Sequence, residues 1–314
     1  MTVCVKGLIV VYRKESAQDF IDIARRIKRI DPTIALLMIP NSLDPKKLPP
    51  IFYTLPTLII YLVNPPNFEF TKIKKLAVKS IGKLDEYEHF KTHGIPCLPI
   101  EKFRGGMKLD HEVYGDWVVL KPENVTSTGR DINMVPTKMI PLLTKEDFPE
   151  DHLLHKDSYL VQRLVKTGVN PNHYRVCIFL GSVLFSTRSE LNLPYPDINA
   201  PLNELLATTV ASNLRPQRKI QLHTNHDVIK LALIVAESLG DIPLLGVDII
   251  RDASTDEYYV IETNSGGNTW HFSSEIGAGM RVDIGGKSKF VGQYNAWDRA
   301  ADALIKSTYE LAVW

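Results

Sequence analysis

The sequence predicts a mixed fold, α/β at its start and α+β thereafter, and three observations predict it. The first part alternates short apolar runs with an amphipathic helical stretch, the pattern that lays parallel strands beneath helices. The later parts replace that alternation with pairs of apolar runs around short polar turns, the pattern of antiparallel hairpins. At 314 residues the chain is long enough for roughly two domains, each with its own core.

In order, Lys6 to Tyr12 is an apolar run that predicts a first strand. The stretch SAQDFIDIARRIKRI follows, with Phe20, Ile21, Ala24, Ile27 and Ile30 at helical spacing behind a Ser16 cap. Apolar runs at Ile34 to Ile39 and, after the Leu48-Pro49-Pro50 break, Thr57 to Val63 predict two further strands. This parallel layer is expected to end near the turn Asn64-Pro65-Pro66-Asn67.

Beyond Ser80 the segment SIGKLDEYEHFKTHGIPCLPIEKF predicts a helix from about Lys83 to Thr92, stopped by Gly94 and Pro96 and leading into a strand. Trp117 to Lys121 is a strand closed by Pro122, and Ile132 to Val135 can pair with it across ENVTSTGRD. Tyr159 to Val165 is another strand. Tyr174 to Leu180 and Val183 to Thr187 flank Gly181-Ser182, the clearest hairpin in the chain. A helix from Asp227 to Leu239 carries Val228, Leu231, Leu233, Ile234 and Leu239 as its inner stripe, with Gly240 beyond its end. Strands at Leu245 to Arg251 and Tyr258 to Thr263 are joined by DASTDE, and a last helix, Tyr294 to Leu311, turns Trp297, Ala300, Ala301, Leu304 and Tyr309 inward.

Bulk composition excludes several functions. The 37 basic residues nearly cancel the 36 acidic ones, and a net charge of +1 offers no general field for nucleic acid or an acidic membrane. The apolar run Ile51 to Val63 is broken by Pro56 and falls short of the roughly 20 residues that a spanning helix needs. Cys4, Cys97 and Cys177 are odd in number and far apart, which fits reduced thiols. With the opening MTVCVKGLIVVYRK too briefly apolar for a signal peptide, these features predict a cytoplasmic protein.

The chemistry gathers in the hairpin GVDIIRD...YYVIETNSGG. Alternate side chains of a strand share a face, so Glu262 and Asn264 point the same way, and a turn centred near Ser254 and Thr255 sets Asp248 almost opposite Glu262. Three hard oxygen donors at one point suit Mg2+ or Mn2+. The plain alternative is a pair of strand-end acids answered by Arg251 or a lysine. Lys121 ends an apolar strand, a costly place for an ammonium without an anion, while Lys83 opens a helix beyond Gly82 and serves equally as a surface lysine. His152 and His155 in EDHLLHK read as solvated.

The order of parts, SIGKLDEYEHFKTHGIPCLP, WVVLKP, YLVQRLV, HYRVCIFLGSVLFSTR and GVDIIRD...YYVIETNSGG, resembles the ATP-grasp superfamily over roughly residues 78 to 270. The resemblance implies an ATP-grasp fold in which an N-terminal α/β domain (1–78) precedes two α+β subdomains (79–163, the lid, and 164–314, with the metal site) that hold ATP between them. It matches Lys83 and Lys121 to the phosphate-holding lysines and Ser127, Thr128 and Gly129 to the loop over the phosphates. Gln162, Arg163, Leu164 and Val165 match the edge that meets adenine, and Arg175 and Arg188 the hairpin arginines that hold a transferring phosphate or a carboxylate. Asp248, Glu262 and Asn264 match the metal ligands. Many relatives have a glycine-rich loop where this chain has only Gly129, so closure of that loop is in question.

The implied activity is ATP-dependent carboxylate-amine ligation through an acyl phosphate, with ATP and Mg2+ or Mn2+, on a small acid and an amine such as an amino acid or peptide. Gly266 and Gly267 would let the backbone approach the acyl group, with Asn268, Trp270, His271 and Arg281 as walls of the acceptor pocket. Trp270 reads equally as a core residue. A small-molecule kinase on the same fold and a non-catalytic nucleotide-binding module are the rival readings. Ligases of this kind often form homo-oligomers, and neither nucleic acid nor membrane is expected as a partner.

Overall fold

The computed structural model describes residues 3–41, 48–65, 73–124, 130–211 and 218–313. Its first sheet is parallel, in the order β2-β1-β3-β4, from β1 (Lys6–Tyr12), β2 (Ile34–Pro40), β3 (Thr57–Tyr61) and β4 (Lys74–Ala77). β1 and β3 are apolar on both faces because both are covered, as parallel strands usually are. β4, Lys-Lys-Leu-Ala at the sheet edge, carries too weak an apolar signal to be read from sequence. The helix Ala17–Ile30 turns Phe20, Ile23 and Ile27 inward. Ile21 and Ile30, expected inward, lie exposed on its flanks, since the buried stripe centres on Ile23.

The second sheet is antiparallel, in the order β5-β8-β6-β7, from β5 (Ile100–Lys102), β6 (Trp117–Pro122), β7 (Asn133–Pro136) and β8 (Tyr159–Arg163). The expected pairing of β6 with β7 is present, from Trp117 opposite Pro136 to Leu120 opposite Asn133. His152 is buried here rather than solvated, its Nε2 lying 2.9 Å from Asn133 Oδ1.

The third sheet is antiparallel, in the order β11-β10-β9-β12-β13. Its strands are β9 (Asn172–Phe179), β10 (Ser182–Leu191), β11 (Arg218–Leu222), β12 (Leu244–Arg251) and β13 (Tyr258–Ser265). Leu180 and Gly181 both take positive φ (47° and 76°) in the turn between β9 and β10, the geometry of a tight hairpin, one residue earlier than the sequence suggests. A bulge between Val183 and Phe185 then shifts the register by one residue.

Two cores flank this sheet. One joins it to the first sheet through Phe179, Phe185, Trp270, Phe272 and the helix Ala296–Leu311. The other lies beneath the helix His226–Ser238, where Val228, Leu231, Ala232 and Val235 are buried and Ile234 is exposed. Two helices pack across the expected boundaries: Lys83–Thr92 sends Phe90 into this second core, and Leu202–Ala207 sends Leu206 into the core of the second sheet. No helix among the described residues is long and apolar enough to cross a membrane.

Candidate active site

Three strands of the third sheet build the centre. The register sets Asp248 on β12 opposite Glu262 on β13 and also opposite Arg175 on β9, so the three side chains form a row on one face. Arg175 grips Asp248 with both prongs of its guanidinium, Nε to Oδ1 at 2.6 Å and Nη2 to Oδ2 at 2.5 Å. Asn264, two residues beyond Glu262, shares that face, and its Nδ2 donates to Asp248 Oδ2 at 3.2 Å and Glu262 Oε1 at 3.3 Å. Burial alone would weaken the Arg175 charge; the paired Asp248 carboxylate outweighs it and holds the arginine above its ordinary pKa.

Two lysines approach from the second sheet and the helix before it. Lys121, at the end of β6, is 8% exposed. Burial pushes its pKa down to about 8, Lys83 adds to the fall, and the Glu262 and Glu86 carboxylates oppose it. Lys83 opens its helix after Gly82, and its Nζ donates to the carbonyls of Pro122 at 2.9 Å and Glu123 at 3.0 Å. Two buried residues in this neighbourhood, Glu86 and His173, went unread in the sequence, and His271, expected as a wall of the acceptor pocket, is buried as well. Glu86 has its pKa raised to about 7, first by burial and then by the Glu262 charge. His173 and His271 are driven down to about 3, first by burial and next by the Arg175 charge, so both imidazoles are neutral. His271 Nε2 lies 3.3 Å from Arg175 Nη1.

No protein-family model matches the chain, and no curated protein matches it. Solved structures do. The ATP-grasp ligase PsnB, complexed with precursor peptide PsnA2 and AMPPNP, superposes with a TM-score of 0.54 at 13% identity, over 98% of this chain and 99% of that one. This chain has the ATP-grasp fold. D-cycloserine synthetase DcsG gives a TM-score of 0.54 at 13% identity over 96% of this chain and 99% of that one. The macrocyclase MdnC from Microcystis aeruginosa MRC, bound with precursor peptide MdnA, gives 0.51 at 11% identity over 96% and 100%.

Within the ATP-grasp frame the donor set can be tested for a cation. Asp248 and Glu262 offer two carboxylates, and Asn264, which here turns its Nδ2 to both of them, supplies an amide oxygen once its side-chain amide is flipped; such a set of hard oxygens fits Mg2+ or Mn2+. Among the described residues no three His, Cys, Asp or Glu side chains gather, so the amide has to serve as the third donor.

The other expected site residues scatter. Ser127, Thr128 and Gly129 lie outside the described residues. Gln162 on β8 is buried, with Nε2 3.5 Å from the Leu98 carbonyl. The Arg163 and Leu164 amides donate to Pro99 O and Trp117 O at 2.9 and 3.0 Å, and Val165 is buried beyond them. Gly266 has φ of 100°, a left-handed conformation that favours glycine, and Gly267 packs on Arg13, whose Cδ would stand 2.8 Å from an added Cβ. Asn268 is exposed. Trp270 is 1% exposed, its Nε1 donates to the buried Asp19 at 2.9 Å, and its ring lies parallel to Trp297 at 5.8 Å; it is a core residue, not a pocket wall. Arg281 donates through Nη1 to the carbonyls of His271 at 2.6 Å and Ser274 at 2.9 Å, bracing the loop.

Arg188 does not join Arg175. The bulge after Val183 sets Arg175 opposite Thr187 and Arg188 opposite Tyr174, which puts the two arginines on opposite faces of the sheet. Arg188 instead pairs with Glu190 at 2.8 Å.

Proposed function

We propose that this chain is an ATP-dependent carboxylate-amine ligase that uses Mg2+ or Mn2+ held by Asp248, Glu262 and Asn264. The observation that carries the reading is the row on one face of the third sheet, in which Arg175 is pinned by Asp248 next to Glu262 and Asn264, with the buried Lys121 facing them. Such a site has cations and oxygen donors and no nucleophile, so it works by positioning and by spreading charge.

The substrate carboxylate attacks the γ-phosphorus of ATP, the bond to the β–γ bridging oxygen breaks, and acyl phosphate and ADP result. An amine then attacks the acyl carbon, the bond to the phosphate oxygen breaks, and amide, phosphate and a proton leave. Lys121, buried beside carboxylates, gains a stronger partner when phosphate arrives. Lys83 spends two of its donors on Pro122 and Glu123 and keeps the third for the nucleotide. Arg175 holds Asp248 through Nε and Nη2, leaving the Nη1 side for the transferring phosphoryl group or the substrate carboxylate. His271, neutral, accepts from that Nη1 and so fixes its direction without adding a competing charge. When bound, the metal would neutralise charge on the phosphates.

Both substrates are small acids and amines, amino acids or peptides among them, and the cytoplasm is the setting in which ATP would be available. Incubation with Mg-ATP and pools of acids and amines tests the reading. Phosphate released only when acid and amine are both present supports a ligase; a stable phosphorylated product identifies a kinase, and nucleotide binding without turnover a binding module.

A further inference from the structure

Glu86 takes no part in the steps above, yet it touches the residue between two of the metal donors. Its carboxylate is 3% exposed. The Thr263 amide donates to Oε1 at 3.1 Å and to Oε2 at 3.3 Å, and the Thr263 hydroxyl donates to Oε1 as well. Among the described residues β13 is the edge strand of its sheet, met on its outer side by an isolated bridge from Cys97 to Val260, and at Thr263 the N–H is taken up by Glu86. A carboxylate this deep is costly unless its acceptors are used, and here they are spent on one residue, with Glu262 on one side of it and Asn264 on the other. Three residues earlier, on the same helical turn, Lys83 holds the Pro122 and Glu123 carbonyls just past Lys121. One turn of helix therefore ties the strand end that carries Lys121 to the strand that carries Glu262 and Asn264.

We propose that Glu86 is a positioning residue that fixes β13 at Thr263 and thereby sets where Glu262 and Asn264 present their oxygens to a cation. The inference rests on the metal and nucleotide part of the proposed function, and not on which acid and amine are joined. Its test is Mn2+ titration of the full chain, followed by calorimetry, in the presence of a non-hydrolysable ATP analogue. Glu86→Ala is expected to weaken Mn2+ binding by roughly 10- to 100-fold, the usual cost of losing a group that orients a ligand. Glu86→Gln keeps an acceptor for the Thr263 amide and is expected to recover most of that loss. Thr263→Val, which removes only the hydroxyl bond, is expected to fall between the two. Affinity for the analogue without metal should stay within about twofold in all three, which a general loosening of the fold would not allow. Wild-type Mn2+ affinity in Glu86→Ala, or in Thr263→Val if the alanine variant does not fold, overturns the proposal alone. A wild-type chain that takes up no Mn2+ with the analogue overturns the site reading and the proposal together. Failure of every acid and amine pool would overturn only the ligase.

Discussion

The two faces of the third sheet are made by neighbouring residues of the same strands, yet they carry opposite chemistry. On one face Arg175, Asp248, Glu262 and Asn264 stand in contact, and on the other Tyr174, Val176, Val247, Ile249 and Val260 pack beneath the helix His226–Ser238. Arg188 belongs to the second face, beside Tyr174. The contrast teaches that a charged residue's role in a sheet is set by parity, and that a single bulge resets parity for everything beyond it.

The largest effects should come from the first face and the lysine opposite it. Glu262→Gln removes a carboxylate from the donor row, and Lys121→Ala removes the buried cation beside it. Each is expected to lower ADP formation by about 10²- to 10³-fold or more while leaving the circular-dichroism spectrum and melting behaviour near wild type. Near-normal ADP formation by either variant would break the assignment of this face as the reacting one.

Arg175→Ala should be felt in stability as well as turnover, because it strands Asp248, whose side chain is 4% exposed, without its bidentate partner. Breaking a buried pair from one side costs about 3 kcal/mol, read as a fall in the urea midpoint. Adding Asp248→Ala should return part of that loss, since it removes the orphaned charge. A single variant as stable as wild type would mean that the pair is already well solvated.

Much of this face was legible in advance. Alternation in VIETNSGG put Glu262 and Asn264 on one side, because side-chain period is fixed within a strand. The facing of Asp248 with Glu262 was only nearly legible: the turn pairs Arg251 with Tyr258, which carried straight on would set Asp248 against Ile261, and a bulge after Asp248 brings Glu262 opposite instead. Helix Lys83–Thr92 was legible to the residue, since Gly82 and Gly94 bracket it. Glu86 was not. It lies one turn before the buried Phe90, on the inner face of its helix, but only the packed structure says which face is inner and that the Thr263 amide waits there. His173 was readable in principle, two residues from Arg175 on the same strand and hence on its face. Trp270 was open between two readings, because an indole near glycines looks the same in a pocket and a core, and its burial decides for the core; Arg188 was misread because no residue in Gly-Ser-Val-Leu-Phe announces a bulge.

A smaller effect should appear with pH. Lys121 has its pKa pushed down to about 8, so the free protein loses this charge as pH rises through that value. A bound phosphate favours the ammonium, and binding must then include uptake of a proton. Affinity for a non-hydrolysable ATP analogue is expected to weaken above pH 8 by up to about tenfold per pH unit, the limit for one linked proton. Lys121→Arg, charged throughout that range, should flatten the profile. A flat wild-type profile between pH 7 and pH 9.5 would place the phosphates away from Lys121.

The smallest effect sharpens the comparison most. Arg188 and Glu190 form an ion pair at 2.8 Å with side chains 30% and 38% exposed, and a pair so open to water is worth under about 1 kcal/mol. Arg188→Ala should therefore keep ADP formation within about threefold of wild type and leave the urea midpoint nearly unchanged. The contrast with Arg175→Ala matters more than either number, because the two arginines lie on adjacent strands and differ chiefly in the face they occupy. If Arg188→Ala loses turnover as Arg175→Ala does, then Arg188 reaches the reacting face when substrates are bound. That requires β10 to slip by one residue past β9, absorbing the bulge between Val183 and Phe185 and breaking the Arg188–Glu190 pair. Amide exchange along β10 with and without the ATP analogue would then show the ladder from Phe185 to Glu190 re-forming in a new register, whereas a spectator Arg188 leaves that ladder equally protected in both.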